Sequence, residues 1–224
     1  MRAGEAGSLA ELSQYMNKTY GVEMDRSMSR IDFEVARNLT DTVEQMLREF
    51  PGIDGADIRI NATLRGTKAY AGTTVDGTIM LHPGVFTSED TAVTAYRHDL
   101  ESGYHPAGTN YLNIVVHEMG HQIEGALLRK RFPGTDRKSV QARAEAWRKG
   151  RVASELVSRA LDRVAPGWQY DREAAASHIM RISRYAAADV SETLAEAVSD
   201  YYSNRRNASP LSKEIWRLAK RELS

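Results

Sequence analysis

Five consecutive residues, His117-Glu118-Met119-Gly120-His121, carry the pattern His-Glu-x-x-His. Residues four positions apart lie on one face of an α-helix. His117 and His121 can therefore present two imidazole nitrogens to one Zn²⁺, and Glu118 is within reach of a water molecule on that ion. This is the zinc-protease pattern, in which the glutamate is the general base. The pattern predicts one zinc ion per chain and hydrolytic chemistry.

The residues around the motif favour a real site over a chance match. Six histidines in 224 residues produce this pattern by chance in roughly one such chain in a hundred. The segment 111–116 is apolar, and Phe132-Pro133-Gly134 is a helix stop signal. A helix of this composition is predicted to be buried, as a metal-binding central helix must be. Gly120 weakens a helix interior, so its small size is expected to leave room for metal, substrate or a packed neighbour.

A second set of residues that can do chemistry lies downstream, in the segment 185–200. A catalytic zinc ion takes three protein ligands, so one ligand must come from outside the motif. Glu196 lies one turn beyond Glu192, and a carboxylate there can accept the free N–H of a ligating histidine and fix its tautomer. Tyr185 carries a phenol that can donate to a developing oxyanion. Plainer interpretations stay open here: Glu192 as a helix cap, Glu196 in a surface ion pair and Tyr185 as a packing residue.

The two segments together resemble the gluzincins, zinc metallopeptidases that combine a His-Glu-x-x-His helix with a glutamate from a later helix. Within that class, Tyr185, Glu192 and the Ala-Glu-Ala sequence at 195–197 are similar to the catalytic domain of anthrax lethal factor. The segment 103–108 is similar to metallopeptidase-like domains of phage and prophage proteins. The matched positions span about 103–202, less than half of the chain.

The resemblance implies a zincin-like α+β fold and a zinc-dependent metalloendopeptidase that hydrolyses peptide bonds with a metal-activated water. It implies His117, His121 and Glu192 as the metal ligands. Glu118 is then the general base, and Tyr185 is the donor to the oxyanion. A peptide or protein is the implied substrate, and association with a virion or toxin complex is left open.

Two other functions are compatible with a zinc-binding pattern. One is a structural module of a phage or prophage particle that keeps the zinc site with little or no turnover. The other is a zinc hydrolase that acts on a non-peptide amide. Glu118 and Tyr185 favour an enzyme over a structural module, because a structural site needs neither side chain.

The remaining candidate ligands are expected to have ordinary roles. Glu124 shares a helix face with His117 and can compete as a ligand, but an ion pair with Lys130 or Arg131 is the simpler expectation. Four further histidines are individually expected at the surface or in packing contacts: His82, His98, His105 and His178. Among these, His105 is notable because its loop enters the active-site helix.

The elements that must position these residues follow from the hydrophobic pattern. Apolar residues at helical spacing over 31–50 predict a helix of about five turns. Alternation of apolar and polar residues over 56–64 predicts a strand, and 68–74 with 78–82 predict a hairpin. A short helix is predicted over 88–100. After the motif helix, the chain is predicted to be helical over 139–164, 171–184, 192–204 and 210–223.

The resemblance also implies that the substrate meets the sheet at its edge. The edge strand beside the cleft is expected to be Thr78-Ile79-Met80-Leu81-His82. Such a strand can pair with an extended peptide by strand addition.

The chain is expected to form one catalytic domain after a short leading segment. Residues 1–29 are polar and weakly periodic, which predicts a mobile lead-in with one short helix over 8–17. Residues 30–224 are expected to form a single zincin-like domain. Its first part, 30–134, is a sheet lobe with the active-site helix, and its second part is a helical lobe with the third ligand.

The amino-acid composition limits which binding partners and which metal ligands are expected. Lys and Arg together number 30, as do Asp and Glu, so the formal net charge is zero and nucleic-acid or membrane binding is not expected. The absence of cysteine excludes disulfides and thiolate ligands, so zinc must be bound by histidine and carboxylate. The first residues lack a signal-peptide pattern and no apolar run has membrane length. A cytoplasmic location is the default expectation, with dedicated export or virion association open.

Overall fold

Residues 2–224, the part of the chain that the computed structural model describes, form nine α-helices and a four-stranded sheet. The strands are β1 (Glu23–Met24), β2 (Arg59–Asn61), β3 (Ala71–Thr73) and β4 (Thr78–Leu81). Their order is β1-β2-β4-β3, with β3 antiparallel to β4 and the other two pairs parallel. The predicted α+β class is confirmed.

The helices lie where the sequence pattern predicts them, with two larger differences: the helix predicted over 139–164 is divided, and the one predicted over 171–184 ends at Met180. They are α1 (Leu9–Tyr20), α2 (Phe33–Glu49), α3 (Glu89–Glu101), α4 (Asn113–Arg131), α5 (Arg137–Arg148), α6 (Arg151–Val164), α7 (Arg172–Met180), α8 (Val190–Asn204) and α9 (Pro210–Leu223). Side-chain caps begin most of them, among them Asp32 for α2, Asp171 for α7 and Asp189 for α8. Each helix in residues 2–224 is too short or too polar to cross a lipid bilayer.

The one long helix predicted over 139–164 is two helices in the structure. It breaks at Gly150, whose φ is +56°, a left-handed conformation that a residue without Cβ adopts readily. A β-carbon at this position would lie 2.8 Å from Val190 Cγ2. The elbow between α5 and α6 therefore packs directly against the start of α8.

The prediction that Thr78–His82 form the edge strand is wrong. β4 lies between β2 and β3, and the edge strand beside the cleft is β3. Thr78 of β4 pairs with Arg59 of β2, and Leu81 pairs with Ala71 of β3, so β4 has a strand on each side. β3 consists of small residues and closes the sheet by pairing Ala71 with Leu81.

The segment predicted as a lead-in, 1–29, packs into the domain over its described residues. Leu12 and Met16 of α1 are fully buried, and β1 extends the sheet beside β2. The predicted helix over 8–17 corresponds to α1, which is one turn longer at its C-terminal end. Residues 2–29 therefore contribute to the same core as the rest of the chain.

A buried carboxylate explains why this segment belongs to the core. Glu44 of α2 accepts hydrogen bonds from the Ala3 backbone (2.7 Å), Tyr15 Oη (2.7 Å) and Tyr20 Oη (3.0 Å), and it pairs with Arg48. Burial raises the pKa of Glu44, but these donors hold it below its usual value. A buried charge is costly unless it is bonded, and three of its four partners come from the N-terminal segment.

Helix α4 is the central element, as predicted. Every residue from Asn113 to Gly120 is buried. The helix contacts α2, α5, α6, α8, α9 and β3. It can therefore hold the motif rigidly between the sheet edge and the helical part of the fold.

Candidate metal centre

Three side chains predicted as metal ligands converge where α4 meets the first turn of α8. His117 Nε2 lies 3.0 Å from Glu192 Oε2, and His121 Nε2 lies 3.6 Å from the same oxygen. All three ligand atoms lie within 4.8 Å of one another, with both histidines buried and Glu192 partly buried. This group can hold a metal ion.

Two observations indicate that these three side chains can bind a tetrahedral metal ion. Glu192 Oε2 is buried and has no hydrogen-bond partner, and His117 Nδ1 lies 2.7 Å from another carboxylate, to which it can donate. Once His117 Nε2 has lost its proton, Nε2 and Glu192 Oε2 present converging lone pairs that a cation between them can bind. Ligand atoms 2.0–2.2 Å from a tetrahedral ion lie roughly 3.3–3.6 Å apart, and the observed separations of 3.0 and 3.6 Å are close to that.

The charges in the cluster are strongly coupled. Burial lowers the pKa of His117, but the carboxylates of Glu192 and Glu196 raise it well above its usual value. Burial raises the pKa of Glu192, but His117 and His121 lower it far below its usual value. Glu192 is therefore ionised at neutral pH and available as a ligand. A metal ion must displace the proton on His117 to bind.

Glu118 is held at the edge of the sheet. Its side chain is buried, and Oε2 accepts a hydrogen bond of 2.6 Å from Thr73 Oγ1 at the end of β3. Both residues line the same cleft as the three ligands. The edge strand thus fixes one oxygen of the carboxylate predicted as general base.

Glu196 lies behind the first histidine. It has no exposed surface, and its Oε1 is 2.7 Å from His117 Nδ1. Oε2 accepts a hydrogen bond of 2.7 Å from Ser183 Oγ. Burial raises the pKa of Glu196, but the nearby imidazoles of His105 and His117 lower it to about 2. Glu196 is therefore buried against His117, and it does not form a surface ion pair.

Tyr185 lies in a short 3₁₀ turn before α8 and faces the cleft. Its ring stacks on His117 at 5.5 Å and on Tyr104 at 4.6 Å between centroids. Burial and the nearby charge of Glu192 raise the pKa of the phenol. Tyr185 therefore keeps its proton at neutral pH and can act as a hydrogen-bond donor in the cleft.

A cleft of about 480 Å³ contains the whole cluster. Its walls are β3, the α5–α6 elbow and the first turn of α8. A smaller recess of about 230 Å³ lies beside it, and Tyr185, His117 and Glu118 line both. The volume is in the range of known ligand sites.

Glu124 does not form the ion pair expected for it. Arg131 pairs with Glu155, and Lys130 bonds a backbone carbonyl of α9. Glu124 is fully buried, with Oε1 3.4 Å from the Ala153 backbone nitrogen and Oε2 without a partner. Burial raises the pKa of Glu124 above its usual value, and the nearby His121 offsets only part of that rise.

Three contacts of the site come from residues that the sequence patterns did not single out for those roles. Thr73 bonds Glu118 from a strand of small residues, and Ser183 bonds Glu196 from the turn before α8. His105 lies 3.6 Å from Glu196, whereas a surface or packing role was expected for it. His82, His98 and His178 lie outside the ligand cluster. Single hydroxyl and imidazole side chains such as these carry no periodic signal in the sequence, so only the fold reveals their contacts.

Helices α4 and α8 approach closely at Gly120, which fulfils the expectation of a packed neighbour. A β-carbon at 120 would lie 2.6 Å from Ala195 Cα, which is backbone that cannot rotate away. Gly120→Ala is expected to lower the free energy of unfolding by about 1–3 kcal/mol, despite the better helix propensity of alanine. Urea unfolding measures this change.

Gly125 of the same helix is the matched control. A β-carbon there would lie 3.2 Å from the end of the flexible Arg129 side chain and 3.6 Å from Trp147. Gly125→Ala is expected to be neutral or stabilising. Equal stability changes in both variants would contradict the close packing of α4 on α8.

No family model matches the chain, and neither a curated protein nor a solved structure matches it. Function is therefore inferred from the geometry of the site.

Proposed function

We propose that this chain is a zinc-dependent metalloendopeptidase of the gluzincin type with a zincin-like fold. Three ligand atoms, from His117, His121 and Glu192, converge in one cleft. The third ligand comes from a later helix, which is the gluzincin arrangement. Glu118 and Tyr185 line the same cleft, where hydrolysis requires a base and an oxyanion donor.

Glu118 performs the proton transfers in this proposal. A bound zinc ion supplies Lewis-acid chemistry: it lowers the pKa of a water molecule and polarises the scissile carbonyl. The carboxylate of Glu118 takes a proton from the attacking water and later passes it to the leaving amine. The Thr73 hydroxyl holds Oε2, so the other oxygen can face the water.

Tyr185 stabilises the oxyanion that forms during the reaction, and Glu196 orients His117. The phenol of Tyr185 donates to the carbonyl oxygen as it becomes negative, a contribution of about 3 kcal/mol. Stacking on His117 and Tyr104 limits the rotation of its ring. Glu196 accepts a hydrogen bond from the Nδ1–H of His117, and this leaves Nε2 of His117 free to bind the metal.

The edge strand favours an extended peptide as substrate. On either side of β3, the Thr74 N–H donates to the Thr78 carbonyl of β4, and the Tyr70 carbonyl accepts from the His82 N–H directly after β4. In an antiparallel pair these bonds alternate along the strand, so the backbone groups of Ala71 and Thr73 point away from β4. They border the cleft, where a peptide can pair with them by strand addition.

The first test is metal content. We expect one zinc ion per chain after dialysis, and none in His121→Ala, because two protein ligands alone hold the ion weakly. Elemental analysis measures both. His98→Ala is the control, because it removes an exposed imidazole outside the ligand group. Full zinc occupancy in His121→Ala would contradict the assigned ligands.

The second test is hydrolysis. The zinc-loaded protein is expected to cleave members of a mixed peptide library, and removal of the metal with a chelator is expected to abolish cleavage. Readdition of zinc should restore it. A zinc-loaded protein that cleaves no member of the library would contradict the peptidase assignment while leaving the metal site intact.

A further inference from the structure

His105 approaches the same carboxylate oxygen that orients the first histidine. Its Nδ1 lies 3.6 Å from Glu196 Oε1, the atom 2.7 Å from His117 Nδ1. The distance is longer than a hydrogen bond, so it is an electrostatic contact. The other oxygen of Glu196 is bonded by Ser183. Glu196 therefore has three polar neighbours, two of them imidazoles.

The ring of His105 is held in one orientation. It stacks on Tyr96 at 4.5 Å with an interplanar angle of 5°. Tyr96 is itself fixed, because its hydroxyl lies 2.7 Å from Thr109 Oγ1. Only a tenth of the His105 side chain is exposed. Its Nδ1 can thus keep its direction toward Glu196 without help from solvent.

A packing role alone does not explain an imidazole here. The Nε2 atom of His105 is buried and has no hydrogen-bond partner. An unpaired buried polar atom costs about 1–3 kcal/mol, and phenylalanine would stack on Tyr96 without it. The contact between Nδ1 and Glu196 therefore explains why this position carries an imidazole and not a phenyl ring.

The loop that carries His105 also supports Tyr185. The Tyr185 backbone N–H donates to the Tyr104 carbonyl at 3.1 Å, and Arg184 donates to Gly103 at 2.9 Å. The rings of Tyr104 and Tyr185 stack. His105 is thus the point where this loop is tied to the carboxylate behind the ligand cluster.

We infer that His105 is a positioning residue, which holds the carboxylate of Glu196 and through it the imidazole of His117. The inference rests on the proposed metal site. A histidine that binds metal depends on the partner of its other nitrogen, and loss of that partner typically weakens metal affinity 10- to 100-fold. His105 acts one step further back, by limiting how Glu196 can rotate.

Two variants separate the polar role of His105 from its packing role. His105→Phe keeps a ring for Tyr96 and removes the nitrogen, so zinc is expected to bind about tenfold or more weakly. His105→Asn loses the ring but places an amide N–H near the position of Nδ1, so affinity should stay closer to that of the parent. A packing residue would give the reverse order.

Zinc affinity is measured by competition with a chromophoric chelator, and the visible spectrum of the cobalt-loaded protein reports ligand geometry. A change in that spectrum for His105→Phe, but not for His98→Phe on the surface of α3, is expected. Urea unfolding of the metal-free proteins separates loss of stability from loss of metal. Parent-like affinity and spectrum in His105→Phe would overturn the inference.

The parent protein gives a test that needs no variant. Nitrogen-15 labelling of histidine with long-range proton–nitrogen correlation shows which ring nitrogen carries the proton. His105 is expected to be protonated at Nδ1, and a neutral ring protonated only at Nε2 would overturn the inference. If the parent binds no zinc, both the proposed metal site and this inference are wrong. If it binds zinc and either His105 test fails, only this inference is wrong.

Discussion

Zinc-loaded Glu118→Gln is expected to hydrolyse peptides up to about 10⁴ times more slowly than the parent, a loss at the upper end for general-base removal. The amide has nearly the shape of the carboxylate but cannot take a proton from water. Its oxygen can still accept the hydrogen bond from Thr73 Oγ1, so the fold and zinc content should not change. Single-turnover kinetics on a peptide cleaved by the parent, together with elemental analysis, measure both quantities.

The control for this variant is Glu101→Gln, which makes the same chemical change at an exposed position at the end of α3. It should retain the parent rate. Parent-like hydrolysis by Glu118→Gln would mean that another group is the base, or that the activity belongs to a contaminating enzyme. Loss of zinc from the variant would instead indicate that Glu118 has a structural role at the cluster.

The motif helix could be predicted from sequence because its signals are local. His117 and His121 are four residues apart, and the helical period alone puts them on one face. The end of α4 at Arg131 follows from the Phe132-Pro133-Gly134 sequence. The same holds for α9, where the predicted bounds and the observed bounds agree.

The order of the strands could not be predicted because it depends on pairing between distant segments. The hairpin pattern correctly joins β3 to β4, but it does not say which of the two strands meets β2. Thr78 pairs with Arg59, and this contact makes β4 an interior strand. The edge position of β3, and with it the hydrogen bond from Thr73 to Glu118, follows from that pairing.

The second half of the site is set by packing between helices. Glu192 meets the two histidines because α8 lies against α4 at Gly120, where only a glycine lets the backbone of Ala195 approach. The resemblance to gluzincins pointed to Glu192, but the local sequence equally allowed a helix cap. In the structure Asp189 is the cap of α8, and Glu192 faces the ligand cluster.

Tyr185→Phe is expected to lower kcat by about 10²- to 10³-fold with little change in KM or zinc content. The oxyanion exists only as the reaction proceeds, so the phenol stabilises the transition state and not the bound substrate. Phenylalanine preserves the stacking on His117 and Tyr104. Steady-state kinetics on a cleaved peptide separates the two parameters, and elemental analysis checks the metal.

Tyr201→Phe is the matched control, because Tyr201 is a partly buried tyrosine on α8 that packs on Trp216 and does not line the cleft. The two variants lose the same hydroxyl, so a difference in kcat between them measures the position of the phenol and not the chemistry of the substitution. If Tyr185→Phe kept the parent kcat and lost only stability, Tyr185 would be a packing residue. The next candidates for the oxyanion donor would then be Tyr104, which stacks on Tyr185, and His105; both line the smaller recess beside the cleft.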